Sequence, residues 1–472
     1  MIEHTLQLFD TMQRKELPVT PSNGKTIRIY TCGPTVYDVA HIGNFRTFLF
    51  EDLLRRTLKL FGYKVFQVMN ITDVDDKTIA RATENKISLA EYTETFTRAF
   101  FEDLNTLRIQ PAEKHPRATD HINEMLEMIQ ILVEKKAAYV HTDGSVYFAI
   151  NQAKEYGKLS HLKLEDLKSS ASQHSDEYSS AADFALWKAY DPERDGEVYW
   201  ESTWGKGRPG WHLECSVMAK KYLGDTIDLH AGGVDLIFPH HENEIAQSET
   251  STGKPFALHW AHAEHLLVDN KKMSKKLGNF YTLRDLLEKG YSPSAIRFFL
   301  MSTHYRTQLN FTMQGLDAAL ASIKRIRDFA DRLKERGKKS RLSEQFKQET
   351  DEHEKRFFQA LAKDLNINEA LGALFDWIRH SNLLLDQHKL SAEDKHLARS
   401  FLDKVDSVLD ILTSDETSLP EEVTQLLTER SEARKQKDWA RSDTLREQLE
   451  ELGYHVEDMP SGQRVSKKSP NQ

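Results

Sequence analysis

Cysteine is scarce in this chain: Cys32 and Cys215 are the only two among 472 residues. So few cysteines exclude a fold held together by several disulfides. They leave three interpretations, which are buried thiols, a single bridge, or ligands of a metal ion. The sequence also lacks an apolar run of about 18 residues, so we expect no membrane partner. Acidic residues at Glu3 and Asp10 do not fit a secretory signal at the N-terminus.

An excess of basic residues is lacking as well. The 64 Lys and Arg residues face 73 Asp and Glu residues, which gives a formal net charge of −9. This excludes a generically basic protein that coats nucleic acid, although one local basic face is compatible with it. Hydrophobic residues at 39% and aromatic residues at 10% indicate a folded, water-soluble protein. The length is typical of about three domains.

Hydrophobic periodicity predicts a βαβ unit near the N-terminus. Residues 26–31 alternate as a strand, residues 44–61 carry one apolar helical face, and residues 64–70 return to strand character. A strand, a helix and a further strand in this order imply a parallel sheet. Strand-like residues 226–230 resume the same pattern later in the chain.

The rest of the chain has a different texture. Residues from about 113 to 200 read as an insertion, and it contains a polar run at 168–180. After about residue 315 the apolar spacing predicts helices. We expect helical structure over 421–452, a short strand at 454–457, and disorder over 462–472.

Two short motifs have the chemistry to hold phosphate groups. His41-Ile42-Gly43-Asn44 stands where a loop enters a helix, a place that favours an anion. The alternative is that His41 and Asn44 only cap that helix. Lys272-Met273-Ser274-Lys275-Lys276 has the composition of a cationic arm that stabilises a triphosphate, or of a solvated basic loop.

A third group of residues has the chemistry of a metal site. Cys32 ends the first predicted strand, and Cys215 closes the string PGWHLEC. His240 and Glu244 are four residues apart, so on a helix they face the same way. Two thiolates, an imidazole and a carboxylate suit zinc. Spacing alone leaves buried structural thiols and a charged helix start as alternatives.

The two phosphate motifs, in this order, resemble the HIGH and KMSKS signatures of class I aminoacyl-tRNA synthetases. Five further strings resemble the cysteinyl-tRNA synthetases of that class, and the likeness continues through 302–310 and 432–443. The strings are CGPTVYD (32–38), NITDVDDK (70–77), PGWHLEC (209–215), HAGGVDL (230–236) and FPHHENE (238–244). The resemblance therefore covers nearly the whole chain.

This resemblance implies an α/β fold: a Rossmann-like parallel-sheet catalytic domain with an insertion, followed by a stem-contact region and an α-helical anticodon-binding domain. The two halves of the catalytic domain would occupy 1–112 and 201–265, around a connective insertion at 113–200. A stem-contact region with the KMSKS-like loop would follow at 266–315. The helical anticodon-binding domain would occupy 316–412, and a small C-terminal tRNA-binding domain with a basic tail would occupy 421–472.

The activity implied is that of a cysteine–tRNA ligase. L-Cysteine would react with ATP, accompanied by Mg²⁺, to give cysteinyl-adenylate, and the 3′-terminal adenosine of tRNA(Cys) would then take the cysteine. One Zn²⁺ per subunit would be held by Cys32, Cys215, His240 and Glu244. Zinc binds a thiolate far better than a hydroxyl, so it would separate cysteine from serine without an editing domain. The need for reduced thiolates implies a cytoplasmic protein.

Further site residues follow from the resemblance. Thr72 and Trp211 would line the cysteine pocket. Catalytic roles would fall to His41, Asn44, Lys272 and Lys275. The residues expected to bind ATP are these four together with Gly43, His230, Gly232, Gly233 and Asp235, of which the last four would lie near the adenosine.

Two positions depart from the family signatures. Asn44 stands at the last position of HIGH, and Lys276 stands at the last position of KMSKS. We expect both to modulate the rate without abolishing it.

Arg434, Trp439 and Arg441 are expected to contact tRNA through phosphate contacts and base stacking. Acidic residues are interleaved with them, so a solvated helix with ion pairs is the alternative.

Two other functions are alternatives to the synthetase. One is an ATP-dependent cysteine ligase that acts on an amino sugar, for which the long C-terminal region would be unnecessary. The other is a catalytically silent tRNA-binding paralogue, which predicts damaged phosphate motifs, yet His41, Gly43, Lys272 and Lys275 are present. We therefore expect the synthetase, acting as a monomer.

Overall fold

A computed structural model of the chain describes residues 4–162, 183–335, 341–413, 421–459 and 462–467. The chain divides into two compact units. The first contains Met1–Gly278, Leu300–Asn310 and Arg356–Leu371, and the second contains Asn279–Phe299, Phe311–Lys355 and Gly372–Gln472. The domain boundaries expected from the sequence stay a prediction. The polar run at 168–180 lies outside the described residues.

A four-stranded parallel sheet forms the centre of the first unit. Its strands, in spatial order, are β10 (Trp260–Ala263), β9 (Leu229–Gly233), β3 (Thr26–Thr31) and β4 (Lys64–Met69). The expected α/β class with a parallel sheet is confirmed. An antiparallel hairpin, β1–β2, precedes this sheet. The elements up to the second half of the sheet are β1 (Gln7–Asp10), β2 (Lys15–Pro18), β3 (Thr26–Thr31), α1 (Ile42–Leu60), β4 (Lys64–Met69), α2 (Asp76–Asn85), α3 (Leu89–Thr106) and α4 (Ile122–Glu134).

The predicted βαβ unit is β3–α1–β4. The strands pair in parallel, with Ile29 opposite Gln67, and α1 buries Phe45, Leu49 and Leu53. Helix α1 begins at Ile42, two residues before the predicted start, because His41 is its N-cap. This arrangement places the loop of residues 32–41 at the carboxyl end of the sheet, where ligands bind in open α/β folds.

The second half of the sheet contains one correction. The predicted strand at 226–230 is shifted, since β9 is Leu229–Gly233. Ile227 forms only an isolated parallel bridge with Ala257, and continuous backbone pairing with the neighbouring strands starts at Leu229. The Asp228 side chain accepts hydrogen bonds from the backbone N–H groups of Ser22 and Arg28 and pairs with the Arg28 guanidinium. The elements of this half are α6 (Trp211–Leu223), β9, α7 (Glu242–Thr252) and β10 (Trp260–Ala263).

A separate antiparallel sheet has the strand order β5-β6-β7-β8; its first three strands lie within the predicted insertion, and β8 lies beyond the predicted end at residue 200. Its strands are β5 (Ala138–Val140), β6 (Val146–Phe148), β7 (Phe184–Ala189) and β8 (Gly207–Pro209), with the short helix α5 (Pro192–Asp195) between the last two. Phe148 and Phe184 stack in its core, with ring centroids 5.0 Å apart.

A buried carboxylate ties the insertion to α7. Glu242 accepts hydrogen bonds from the backbone N–H groups of Gly157, Leu159 and Ser160, at 2.8, 3.1 and 2.8 Å. The Tyr156 hydroxyl donates to Asn243 Oδ1 at 2.5 Å. These contacts matter for function because Glu242 and Asn243 lie between His240 and Glu244, two of the expected metal ligands.

Glu242→Ala is expected to release this turn. Three N–H groups would lose a charged acceptor, which costs about 3 kcal/mol locally. Amide hydrogen exchange in residues 157–160 should therefore accelerate roughly 100-fold. Glu84→Ala is the control, because the Glu84 side chain is 61% exposed and pairs with Arg81 on its own helix. An unchanged exchange rate at 157–160 in Glu242→Ala would show that the carboxylate does not hold the turn.

From Met313 onward the described chain is mainly helical, as predicted for the residues after about 315. In the second unit, the Trp377 ring packs edge-on against Phe329 and Phe401, and its Nε1 donates to Thr350 Oγ1. Three short strands that come before Met313 in the chain form a small sheet, in the order β12-β11-β13. The elements are β11 (Leu266–Val268), β12 (Lys271–Lys272), α8 (Leu283–Glu288), α9 (Pro293–Met301), β13 (Leu309–Phe311), α10 (Met313–Lys334), α11 (Glu344–Ala362), α12 (Ile367–Asp386) and α13 (Ala392–Leu409).

The C-terminal segment is helical over most of 421–452, as predicted. It forms two helices, α14 (Glu421–Lys435) and α15 (Trp439–Glu451). Lys437 between them has a φ of +61°, and the Asp438 side chain caps the second helix. The expected disorder over 462–472 is wrong in part, because β15 (Gly462–Lys467) pairs with β14 (Tyr454–Met459). The predicted strand at 454–457 lies within β14.

Within the ranges described, no helix combines the length and the apolar character needed to cross a membrane.

Candidate active site and metal centre

Three segments of the first unit bring the expected metal ligands together. Cys32 directly follows β3, Cys215 lies in α6, His240 lies two residues before α7, and Glu244 lies in the first turn of α7. One ligand atom from each of the four residues lies within 4.8 Å of all the others. The two sulfur atoms are 3.9 Å apart, and Glu244 Oε1 lies 3.8 Å from Cys32 Sγ and 2.9 Å from His240 Nε2. The spacing of 183 residues between the cysteines gave no hint of this proximity.

The donor set fits zinc. All four side chains are buried, with Cys32 the most exposed at 8%. Two sulfurs, one imidazole nitrogen and one carboxylate oxygen are ligands that Zn²⁺ prefers. Burying one carboxylate against two thiols is unfavourable unless a cation compensates it. Cys32, Cys215, His240 and Glu244 are therefore able to hold such an ion.

The electrostatics of the cluster favour negative ligands. Burial opposes ionisation of Glu244, yet the nearby His230 and His240 lower its pKa to about 2. Burial likewise opposes ionisation of Cys215, but Cys32 and His240 bring its pKa down to about 6. The pKa of Cys32 is raised well above its usual value by burial and by Cys215. The pair thus retains one proton, which a divalent metal would displace on binding.

His230 is placed differently from its expected position near the adenosine. It is fully buried, its Nε2 lies 2.9 Å from Glu244 Oε2, and its ring stacks on Trp260 at 4.6 Å. A buried imidazole that holds the second carboxylate oxygen orients the first one. This placement favours a role behind the metal ligand over direct contact with ATP.

The two expected cysteine-pocket residues lie next to the ligands. The Trp211 ring is 39% exposed and stacks on the His240 ring at 4.1 Å. Thr72 is buried, and its hydroxyl accepts a hydrogen bond from Asn70 Nδ2 at 3.0 Å. Its backbone N–H donates to the carbonyl of Pro34, two residues after Cys32. Trp211 therefore borders one of the metal ligands, and Thr72 lies beside the loop that begins with Cys32.

His41 and Asn44 form a capping box on α1, so the capping alternative describes part of their role. His41 Nδ1 accepts from the Asn44 N–H, and Asn44 Oδ1 accepts from the His41 N–H, both at 3.1 Å. Burial lowers the pKa of His41, so the ring is neutral at pH 7. A neutral ring that accepts at Nδ1 carries its proton on Nε2, which makes that nitrogen a donor.

The KMSKS-like loop lies against the first motif. A Cβ atom on Gly43 would come within 3.0 Å of the His41 ring and 3.3 Å of Met273 Cε, so any larger residue would crowd both motifs. The Lys275 ammonium pairs with Asp38 at 2.5 Å. Asp38 belongs to the same loop as Cys32. Asp38 is the last residue of the string CGPTVYD, and the sequence alone gave no sign that it pairs with Lys275.

The other expected ATP residues follow β9. Gly232 and Gly233 are the last residues of that strand, and a Cβ on Gly233 would lie 2.4 Å from Asp235 Oδ1. Asp235 is exposed and lies near enough to His41 to favour its protonated form. Lys272 is exposed in β12. The structure thus gathers Gly43, Asp235 and Lys275 around His41.

The expected tRNA contacts form a surface on α14 and α15. Trp439 is 55% exposed, and the Arg434 guanidinium lies 5.5 Å from its ring centroid. Arg434 also pairs with Asp458 at 2.9 Å, and Arg441 pairs with Glu429 at 3.2 Å. The ion-paired alternative is therefore part of what the structure shows. The exposed ring is the feature that a solvated helix does not require.

Comparisons with known proteins agree with this geometry. The family described as tRNA synthetases class I (C) catalytic domain matches residues 18–321. The Cysteinyl-tRNA ligase anticodon binding domain matches residues 416–465, and the DALR domain matches residues 356–413. A cysteine–tRNA ligase of Protochlamydia amoebophila (strain UWE25) is 52% identical over 474 residues, which cover 98% of each chain.

This chain belongs to the cysteine–tRNA ligase family. A member from Chlamydia trachomatis serovar A (strain ATCC VR-571B / DSM 19440 / HAR-13) is 50% identical over 475 residues, covering 98% of this chain and 99% of its own. The expected family and class of enzyme are confirmed: the chain is a ligase of the class I aminoacyl-tRNA synthetases. The comparisons give no support to the amino-sugar ligase or to the silent paralogue.

Solved structures support the fold. Methionyl-tRNA synthetase of Mycobacterium tuberculosis, in complex with methionyl-adenylate, aligns with a TM-score of 0.58 at 14% identity. The alignment covers 89% of this chain and 96% of that one. At such low identity the likeness concerns the fold alone.

Proposed function

We propose that this chain joins L-cysteine to tRNA(Cys) in two steps, with ATP as the energy source. The observation that carries the proposal is that two thiols, one imidazole and one carboxylate converge in the first unit, beside the sheet. The loop that begins with Cys32 ends with Asp38, which pairs with Lys275 of the KMSKS-like motif. One continuous loop therefore connects the amino-acid site with the phosphate site.

The metal we propose is one Zn²⁺ per subunit, held by Cys32, Cys215, His240 and Glu244. When bound, zinc supplies a Lewis-acidic position that a thiolate occupies far more readily than the neutral hydroxyl of serine. Thr72 and Trp211 then enclose the small side chain. His230 keeps Glu244 in place from behind, in keeping with its burial.

Phosphate groups are held by the two motifs. His41 Nε2 and the Asn44 amide donate to phosphate oxygens, and Lys272 and Lys275 supply positive charge. In the first step the cysteine carboxylate attacks the α-phosphorus of Mg²⁺-bound ATP, the bond to the β-phosphate oxygen breaks, and pyrophosphate leaves. Because the protein supplies no nucleophile, its contribution is positioning and charge stabilisation.

The adenosine and the tRNA complete the proposal. Gly232 and Gly233 allow the nucleoside to approach the backbone, and Asp235 accepts hydrogen bonds beside them. In the second step a terminal ribose hydroxyl of the tRNA attacks the cysteinyl carbonyl and AMP leaves. Arg434, Trp439 and Arg441, all in the second unit, bind the tRNA. We further propose that the chain acts as a monomer in the cytoplasm.

Trp439→Ala is expected to weaken aminoacylation while sparing adenylate formation. Loss of one stacking ring should lower kcat/KM for tRNA charging about 10-fold. ATP–pyrophosphate exchange with cysteine should stay unchanged, because that reaction needs no tRNA. Leu452→Ala is the control, an exposed apolar residue directly after α15. Equal losses in both assays would contradict a tRNA-binding role.

Measurements on one purified sample distinguish the cysteine–tRNA ligase from the amino-sugar ligase and from the silent tRNA-binding paralogue. Its zinc content, its cysteine-dependent ATP–pyrophosphate exchange and its charging of tRNA(Cys) are measured in parallel. The proposal expects all three. Exchange without tRNA charging would favour the amino-sugar ligase, and tRNA binding without exchange would favour the silent paralogue.

A further inference from the structure

A row of hydrogen bonds runs from the β1–β2 turn to one of the expected metal ligands. Thr11 Oγ1 lies 2.7 Å from His262 Nδ1, and His262 Nε2 lies 2.8 Å from His241 Nδ1. His241 Nε2 in turn lies 3.4 Å from Cys32 Sγ. His241 is fully buried and His262 is 4% exposed, so water does not compete for these contacts. Neither His241 nor His262 belongs to the proposed metal, cysteine or ATP sites.

The chemistry of the last contact sets the direction of the whole row. With the metal bound, Cys32 is a thiolate, which only accepts hydrogen bonds, so His241 Nε2 must donate. His241 Nδ1 and His262 Nε2 are 2.8 Å apart and share one proton, and both rings are buried where the charged form is unfavourable, so each ring donates from one nitrogen only. His241 Nδ1 therefore accepts from His262 Nε2, and His262 Nδ1 accepts from the Thr11 hydroxyl.

We propose that His262 is a positioning residue for cysteine selection: acting through His241, it fixes an N–H donor on the Cys32 thiolate. The inference rests on the proposed zinc site. A thiolate that accepts a hydrogen bond gives less electron density to its metal, and in a dry site the effect is strong. The metal stays more electrophilic, so it binds the incoming substrate thiolate more tightly.

Packing alone does not account for this row. The His262 ring lies parallel to the Trp260 ring at 6.3 Å, and a phenyl ring in its place would keep that contact. What a phenyl ring removes is the Nε2 donor that fixes the tautomer of His241. His262→Phe therefore separates hydrogen bonding from packing, and His262→Gln restores an N–H donor of similar reach.

The test uses the full chain loaded with Co²⁺, whose sulfur-to-metal charge-transfer band reports the charge on the thiolates. In His262→Phe the band should move to longer wavelength, because the lone pairs of Cys32 lose stabilisation. The Kd for L-cysteine should rise about tenfold, while KM for ATP stays unchanged. His262→Gln should recover most of both effects. His259→Phe is the control, an equally buried histidine three residues earlier.

The outcomes distinguish this inference from the proposed function. If the wild-type chain shows no cobalt–thiolate band, the proposed metal site itself is wrong. If the wild-type band is present and His262→Phe leaves both the band and the Kd for cysteine unchanged, the inference is overturned and the metal site stands. Should His262→Phe fail to fold, Thr11→Val and Thr11→Ser decide: a red shift is expected in the valine variant only, and equal spectra would overturn the inference.

Discussion

Cys215→Ser is expected to lose its zinc and to lower kcat/KM for cysteine activation roughly 10³-fold. The hydroxyl of serine stays neutral at pH 7 and is a poor zinc ligand, whereas the pKa of the Cys215 thiol is lowered to about 6 and readily gives a thiolate. The buried Glu244 carboxylate would then lack its cation. Metal content and ATP–pyrophosphate exchange, measured on the same sample, give the result.

Met218→Leu is the matched control for this variant. Met218 is buried on α6, one turn after Cys215, and a volume-conserving change there is well tolerated. It should keep both zinc and activity. A Cys215→Ser variant that retained zinc and full exchange activity would contradict the assignment of this ligand.

Lys275→Ala is expected to lower kcat for adenylate formation by roughly 10²–10³-fold, with little change in KM for cysteine. The ammonium pairs with Asp38 and is 64% exposed, so it is able to exchange this partner for a phosphate. Its positive charge is needed most when pyrophosphate leaves. Single-turnover formation of the adenylate measures the effect without the later tRNA step.

The neighbouring lysine provides the control for Lys275. Lys276→Ser restores the residue typical of the KMSKS signature, and we expect it to change the rate less than about tenfold. If Lys276→Ser and Lys275→Ala had equal effects, the loop would act through its total charge, and the specific role of Lys275 would be wrong.

The parts of the fold and site that sequence reasoning predicted are those encoded in short contiguous strings. The β3–α1–β4 unit was visible because apolar spacing within about 40 residues specifies strands and a helix. The four metal ligands were identified through the family resemblance of CGPTVYD, PGWHLEC and FPHHENE. Periodicity and spacing did not connect Cys32 with Cys215, because their proximity depends on the packing of helix α6 against the sheet strand β3.

The features that were missed depend on contacts between distant segments. Thr11 and His262 are 251 residues apart, and the Lys275–Asp38 pair spans 237 residues. Local rules predicted helical structure over 421–452 but not the break within it, where one left-handed residue, Lys437, separates two helices. Strand β15 was missed for a similar reason: its polar residues form a strand by pairing with β14.

The central claim is that Cys32 and Cys215 meet at a metal that selects cysteine over serine. The most direct test is the ratio of kcat/KM for cysteine and serine in ATP–pyrophosphate exchange, measured as zinc is removed by a chelator and then restored. We expect cysteine activation to fall in proportion to bound zinc and to recover with it, so that the preference for cysteine collapses in the metal-free protein. An unchanged preference after complete removal of zinc would contradict the claim.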